Sequence, residues 1–373
     1  MEFRDLKRQY EVLKSELDEA MAKVASGAHY IMGPEVGQLE EELADYTGVR
    51  HCISCANGTD ALQLALMVWG VGPGDAVFVP DFTFFSSAEV VAAVGATPVF
   101  VDVDAETFNI DPEDLERAIR KTLAEGKLRT KAVIGVDLFG LPAQWHRISE
   151  IAERYGLLTL EDGAQGFGGG IGGRRACSFG DIATTSFFPA KPLGCYGDGG
   201  AIFTDNDGWA ELLRSYRVHG KGSCKYDNVR IGMNSRLDTI QAAILQVKFK
   251  AFREYELQDI NEAAAFYSEQ LAGMVGTPAV PEGYTSSWAQ YTIRLSDRVT
   301  RDGLQASLKA HGIPSMVYYP TPMSAQTAFA GIPRRECPTA AKLCDTVLSL
   351  PVSPYITREE QRDVADAIKE YVG

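Results

Sequence analysis

The 373-residue sequence has no apolar run near the ~18 residues that a membrane-crossing helix needs. Its opening stretch, Met1-Glu-Phe-Arg-Asp-Leu-Lys-Arg8, is charged and carries no signal-peptide core, so we expect a cytoplasmic protein. Cysteine is sparse and odd in number: there are seven, without disulfide-framework spacing, which points to a reducing compartment. Cys52-Ile-Ser-Cys55 is a lone CxxC in a strand-like run, where positions i and i+3 face opposite sides. No second CxxC follows, and no metal is expected. Positive charge is in deficit, with 36 Lys and Arg against 50 Asp and Glu, a net charge of −14. That balance argues against nucleic acid and anionic membrane as partners, while a few amides and arginines can still hold a small phosphorylated ligand. Internal repeats and low-complexity segments are lacking. Histidine is scarce: His51, His146 and His311 fall in or beside expected elements and read as structural, whereas His29 and His219 fall in loops able to line a site.

What is present describes a globular enzyme, 45% hydrophobic and 23% charged. The length exceeds a single core of about 250–300 residues and suggests two domains. Apolar strands alternate with amphipathic helices from Cys52 to Thr204, which implies a mostly parallel sheet covered on both faces. Expected strands are Cys52–Ala56, Ala76–Pro80, Pro98–Val103, Lys131–Val136, Leu157–Leu160, Ile182–Phe188 and Ala201–Thr204. A long helical tract from Leu237 to Ala272, with a break near Arg253–Tyr255, leads into a smaller α+β region. There we expect strands Ala289–Arg294 and Met316–Tyr319 and helices Arg301–Ala310, Thr339–Val347 and Arg358–Val372. The domains are read as 1–250 and 251–373.

Three features fall at the carboxyl ends of expected strands, where ligands bind in open α/β sheets. Asn57-Gly58-Thr59-Asp60 precedes a helix; with Thr59 as cap it is either an anion cup or an ordinary helix start. Asp162 ends a strand and is either a helix cap or an acceptor for a protonated ring nitrogen. Lys191, framed by Pro189 and Pro192 among Phe187, Phe188 and Leu193, is either a surface lysine or a desolvated nucleophilic amine. A phosphate cup, a carboxylate and a lysine together are what pyridoxal phosphate requires. Gly168-Gly-Gly-Ile-Gly-Gly173 matches GxGxxG, but no strand leads directly into it and no helical run follows, so a dinucleotide site is not expected.

Nearly end to end, the chain resembles the DegT/DnrJ/EryC1/StrS family of pyridoxal-phosphate sugar-nucleotide aminotransferases. The residues that carry the likeness are Gly33-Pro-Glu35, Cys55-Ala-Asn-Gly-Thr-Asp-Ala-Leu62, Pro80-Asp-Phe-Thr-Phe84, Glu161-Asp-Gly-Ala-Gln165, Ser186-Phe-Phe-Pro-Ala-Lys191, Gly197-Asp-Gly-Gly200, Asn234-Ser-Arg-Leu-Asp238 and Tyr319-Pro320. The resemblance implies the type I, aspartate-aminotransferase-like fold and a homodimer with shared sites. It also implies Lys191 as the Schiff-base lysine, Asp162 on the pyridine nitrogen, Gln165 on the ring hydroxyl and Phe84 stacked on the ring. Gly58, Thr59 and Ser186 would bind the phosphate, and Asn234 would reach it from the other subunit. Glutamate is the implied amino donor and a nucleotide-linked keto sugar the acceptor.

Within the family the likeness is to the branch acting on UDP-2-acetamido-2-deoxy-3-ketoglucuronic acid, in polysaccharide sugar biosynthesis. Arg236 suits a hexuronate carboxylate, since guanidinium pairs with it bidentately, or it is a structural interface arginine. Tyr318 and Tyr319 are expected at the sugar. Tyr318 stands where that branch has histidine, and Gly163 and Ala190 replace an alanine and a serine common in the family. UDP- or dTDP-linked 3-keto or 4-keto sugars are alternative acceptors. A sugar dehydratase on the same scaffold has histidine in place of the lysine, so Lys191 argues against it. A non-catalytic regulatory protein on this fold is the reading of a different class.

Overall fold

The computed structural model describes residues 1–224 and 226–373. Seven strands form the central sheet: β1 (His51–Cys55), β2 (Asp75–Pro80), β3 (Thr97–Val101), β4 (Arg129–Val136), β5 (Leu158–Asp162), β6 (Ile182–Ser186) and β7 (Gly200–Thr204). Their spatial order is β1-β7-β6-β5-β4-β2-β3. Every neighbouring pair is parallel except those of β7, which runs antiparallel to both β1 and β6. Two reversals restore direction, so β1 points the same way as β6. The carboxyl ends of β1, β6, β5 and β2 therefore share one edge. Register confirms it: Gly200 opposes both Cys55 and Ser186, and Asp162 pairs with Thr184 and Val136.

Strand residues alternate between two apolar layers, as period 2 requires. Val77 and Val79 face the cluster built with helices α3 (Gly58–Val68), α4 (Ser86–Ala93) and α7 (Asp207–Tyr216). Phe78 faces α5 (Pro112–Glu125) and α6 (Trp145–Tyr155) on the other side. Cys52 joins a further cluster on that side with α2 (Pro34–Thr47) and α8 (Thr239–Ala251), while Cys55 lies in the α3 layer. The two thiols are thus on opposite faces, and among the described residues no group of His, Cys, Asp and Glu could hold a metal. Each fully buried Val, Leu or Phe in these layers contributes about 1.5–3 kcal/mol.

Helix α1 (Leu6–Gly27) starts at Asp5, whose carboxylate accepts the Arg8 N–H at 3.0 Å, and packs on α8. A separate cluster joins α9 (Leu257–Gln270), α10 (Arg298–Ala310), α12 (Arg358–Val372) and the pair β8 (Tyr291–Arg294) and β9 (Val347–Leu350). Helix α11 (Pro338–Thr346) packs instead on the large core through Ala340 and Leu343. Its first N–H groups, of Thr339 and Ala340, donate to Asp102 at 3.0 and 2.8 Å. No helix among the described residues is long and apolar enough to cross a membrane.

Three sequence expectations need correction. The helix after β1 begins at Gly58, and its cap is Asn57, whose side chain accepts the Asp60 N–H at 2.8 Å; Thr59 bonds Ser86 instead. The tract after Leu237 does not break: α8 and α9 are joined by a π-helical turn, Phe252–Glu256, which absorbs one extra residue without interrupting the helix. Met316–Tyr319 is not a strand. Met316 makes a single bridge to Ser349, and the partner of β8 is Val347–Leu350, an apolar run that reads as a helix end from sequence. Separately, the glycine run forms a hairpin, Gly170–Ile171 against Arg174–Arg175, turning at Gly172 and Gly173, which both have positive φ (57° and 87°), and no helix follows it directly.

A buried carboxyl pair braces the central strand ends. Asp137 follows β4, and its N–H donates to the Asp162 carbonyl at 3.1 Å. Its Oδ1 accepts the Ala143 N–H at 3.0 Å and the Trp145 indole N–H at 2.9 Å, while Oδ2 is buried without a donor. Glu161 accepts the N–H groups of Cys177 and Phe179. Burial, then the charge of Glu161, pushes the Asp137 carboxyl well above the usual range, so it holds a proton for Glu161. A raised folded pKa gives stability present below the unfolded value and lost as pH rises through the folded one. Asp137→Asn keeps the donor and cannot ionise. Its melting temperature, relative to wild type, should climb as pH rises above the usual carboxylate range; a constant difference contradicts a shared proton.

Candidate active site

The site forms where the shared strand edge meets the loop after β6. At β1, the Asn57 carbonyl and side chain take the N–H groups of Ala61 and Asp60. The N–H groups of Gly58 and Thr59, in the first turn of α3, have no intrahelical acceptor. Gly58 is required here: a Cβ would stand 2.7 Å from the Ser186 Cβ. The cup thus consists of two helix-start amides, the Thr59 and Ser86 hydroxyls 2.8 Å apart, and Ser186 from the end of β6. This donor set fits a phosphate group.

Asp162 ends β5 with 5% of its surface exposed. No helix follows, so the capping alternative falls away. Its Oδ2 accepts the Ser87 hydroxyl at 2.7 Å and its Oδ1 the Ala164 N–H at 3.3 Å. Burial raises its pKa, while Ser87, Ala164 and the charge of Lys191 pull it back. Lys191 lies on the loop that β6 feeds. That loop is folded tightly: the Lys191 N–H donates to the Phe188 carbonyl at 2.9 Å, and Cys195 N–H to Phe187 at 2.8 Å. The residue is half-buried, with its amine 5.9 Å from the centre of the Phe84 ring. Desolvation lowers its pKa, Asp162 opposes that, and Arg4 adds to it.

Gln165 sits in the turn after β5. Its Oε1 accepts the Phe139 N–H at 2.7 Å, and its Nε2 donates to the Tyr319 hydroxyl at 3.0 Å. Tyr319 is therefore drawn to the strand edge, with its ring 6.3 Å from that of Phe84. Asp81, just beyond β2, anchors the same segment by accepting the Ser324 N–H at 2.6 Å and hydroxyl at 2.8 Å. Tyr318 is half-buried, edge-on to Phe3 at 6.2 Å. Phe84 presents half its surface.

The structure brings Gly58, Thr59, Phe84, Asp162, Gln165, Ser186, Lys191 and Tyr319 to one edge. Asn234 and Arg236 lie on the segment leading into α8, where Ser235 between them accepts the Ala56 N–H at 3.0 Å just beyond β1. Asn234 is exposed, and Arg236, half-buried, makes no ion pair among the described residues. His29 and His219 are exposed, and none of their contacts links them to Lys191. Sequence reading missed Ser87, which the position of two serines at a helix start beyond β2 could have flagged, and Arg4, which carries no motif.

The DegT/DnrJ/EryC1/StrS aminotransferase family profile matches residues 11–369. The chain belongs to this family. A solved structure of a DegT DnrJ EryC1 StrS aminotransferase from Brucella abortus is 49% identical, covers 100% of both chains and superposes with a TM-score of 0.97. A UDP-2-acetamido-2-deoxy-3-oxo-D-glucuronate aminotransferase of Pseudomonas aeruginosa is 46% identical over 95% of this chain and 96% of its own. A "pleiotropic regulatory protein" of Geobacillus stearothermophilus is 43% identical over 98% and 97%. Like other DegT/DnrJ/EryC1/StrS members, the protein is a pyridoxal-phosphate-dependent transaminase with the type I α/β fold.

Ser87 bonds the ionised form of Asp162, the form that can pair with a protonated ring nitrogen. Removing it in Ser87→Ala raises the Asp162 pKa further. Pyridoxal phosphate retention should weaken about tenfold, and more steeply as pH falls. Equilibrium dialysis against the cofactor checks this; Ser87→Thr should retain it, and equal retention by Ser87→Ala contradicts the role.

Proposed function

We propose that this enzyme transfers the amino group of glutamate to a nucleotide-linked keto sugar, with UDP-2-acetamido-2-deoxy-3-keto-glucuronic acid as the acceptor that fits best. The observation that carries the reading is the convergence of Lys191, Asp162 and the Gly58–Thr59 cup on one strand edge, in a chain 46% identical to an aminotransferase for that sugar.

Bound pyridoxal phosphate supplies a carbonyl that captures amines and a ring that withdraws electrons from the adjoining carbon. Gly58, Thr59 and Ser186 hold its phosphate. Asp162 accepts from the ring nitrogen, keeping it protonated. Gln165 addresses the ring hydroxyl, and Phe84 covers one face beside Lys191. Lys191 is the attachment point. Its free amine would take a proton from the donor's α-carbon and return it at the cofactor's C4′. Its lowered pKa keeps a larger neutral fraction for that work.

Arg236 has no carboxylate partner among the described residues, so its guanidinium is available for the hexuronate carboxylate. Tyr318 and Tyr319 flank the sugar. Asn234 belongs to the same reading: exposed on a segment with Val229 and Ile231, 54% and 88% exposed, it reaches the phosphate of a second copy in a homodimer. The division into a cofactor lobe, 1–250, and a smaller lobe, 251–373, is supported by the separate apolar cluster spanning Ile260 to Ile368. Helix α11, which packs on the large core, makes that division less than clean.

The 43% identity to a protein named as regulatory favours a second reading, in which the site binds cofactor without turning over a sugar. One panel separates the two. Incubated with glutamate and a set of UDP- and dTDP-linked 3-keto and 4-keto sugars, the enzyme should yield an amino sugar by mass spectrometry, with the uronic acid preferred. Aminated product from none of them, with a silent glutamate half-reaction, supports the regulatory reading. Arg236→Ala should raise KM about 10–100-fold for uronic acids and leave neutral sugars unaffected. Equal effects on both contradict the carboxylate assignment.

A further inference from the structure

We propose that Arg4 is a positioning residue for Lys191: its guanidinium is a fixed cation seated behind the lysine loop and joined to that loop's main chain. The inference rests on the reading of Lys191 as the cofactor's attachment point.

The contact is direct. Arg4 Nη2 donates to the Lys191 carbonyl at 3.4 Å. The segment that carries Arg4 is pinned on both sides. Before it, the Phe3 carbonyl accepts the Val352 N–H at 3.3 Å, and the Phe3 ring meets Tyr318. After it, Asp5 caps α1, and Arg8 pairs bidentately with Glu360 at 2.7 and 2.8 Å. Arg4 is thus held from α1, from the C-terminal region and from the loop it supports.

Its charge is poorly compensated. Arg4 Nη1 is buried and has no hydrogen-bond partner, and the residue has no ion pair among the described residues. The anion it faces is Glu256, in the π-helical turn, already committed to the Gln9 amide at 2.8 Å and the Tyr355 hydroxyl at 2.6 Å. A second buried cation, Lys248 on α8, faces the same carboxylate and the Cys195 thiol. Two cations share one carboxylate, so the interior behind the loop is net positive. Lys191 feels that charge from one side and Asp162 from the other. The Tyr319 phenol, held by Gln165 with its pKa pushed up by burial, stays neutral.

Burying an unpaired guanidinium is costly, and an apolar residue of similar volume is often neutral or stabilising in its place. Such a charge is poorly explained as an anchor. It is explained by what it does to its neighbour: a like charge favours the neutral amine. Desolvation still takes Arg4 only to about 10, so it remains a cation at neutral pH.

The test mixes apo-protein with pyridoxal 5′-phosphate and follows the growth of the visible band across pH. The midpoint of that rate profile reports the ionisation of Lys191. Arg4→Met, and Arg4→Gln which keeps a donor for the carbonyl, should raise the midpoint by about one pH unit and slow uptake about tenfold at neutral pH. Arg4→Lys should keep it near wild type. All three should melt at or near the wild-type temperature, and wild-type protein sets the reference if one variant fails to fold. An unchanged midpoint in both neutral variants, or an equal shift in Arg4→Lys, overturns the inference. No band in wild type would instead sink the cofactor role of Lys191.

Discussion

Asp162 and Lys191 hold opposite charges in one desolvated pocket between the end of β5 and the loop beyond β6. Away from water their attraction is several times stronger than at the surface. Burial opposes it by penalising both charged forms, raising the carboxyl and lowering the amine. The balance leaves a carboxyl that its neighbours hold toward the ionised form and an amine with a larger neutral fraction than a free lysine has. Neighbouring groups act on one side of the balance or the other. Ser87 and Ala164 support the carboxylate, and Arg4 favours the neutral amine.

Sheet topology makes that pocket possible. Reversing twice through β7 returns β1 to the direction of β6, so the anion cup and the lysine loop open on the same edge as Asp162. Small contacts then set the geometry. Gly58 lets the helix start lie against Ser186, closer than any side chain would permit. Asp81 and Asp102 pull the segment between Tyr319 and α11 onto the ends of the sheet by taking backbone N–H groups. Arg335 and Asp114 add an ion pair to the same attachment. Tyr319 reaches Gln165 because of these ties.

Much of this was legible in the residues. Alternating apolar runs with helices between them gave the sheet and both its layers, and strand-end positions gave Asp162, Lys191 and the cup. What sequence hid has physical reasons. Asn57 and Thr59 are both good caps two positions apart, and backbone geometry chose Asn57. Val347–Leu350 is too short and apolar to tell from a helix end until β8 stands beside it. A π turn conserves helical periodicity on both flanks, so Phe252–Glu256 looks like a break without being one. Ser87 and Arg4 act through contacts 75 and 187 residues away in sequence, which no local pattern encodes. The family likeness supplied roles for Gln165 and Phe84 that their positions alone did not define.

The central claim is that Lys191 is the amine that holds the cofactor and Asp162 the acid that makes it an electron sink. Spectrophotometry of the purified protein with pyridoxal phosphate tests it most directly. The account predicts a visible band that glutamate alone discharges, a band that Lys191→Ala never forms, and one that Asp162→Asn forms but glutamate barely discharges. A band of wild-type intensity in Lys191→Ala, or full discharge in Asp162→Asn, would contradict it.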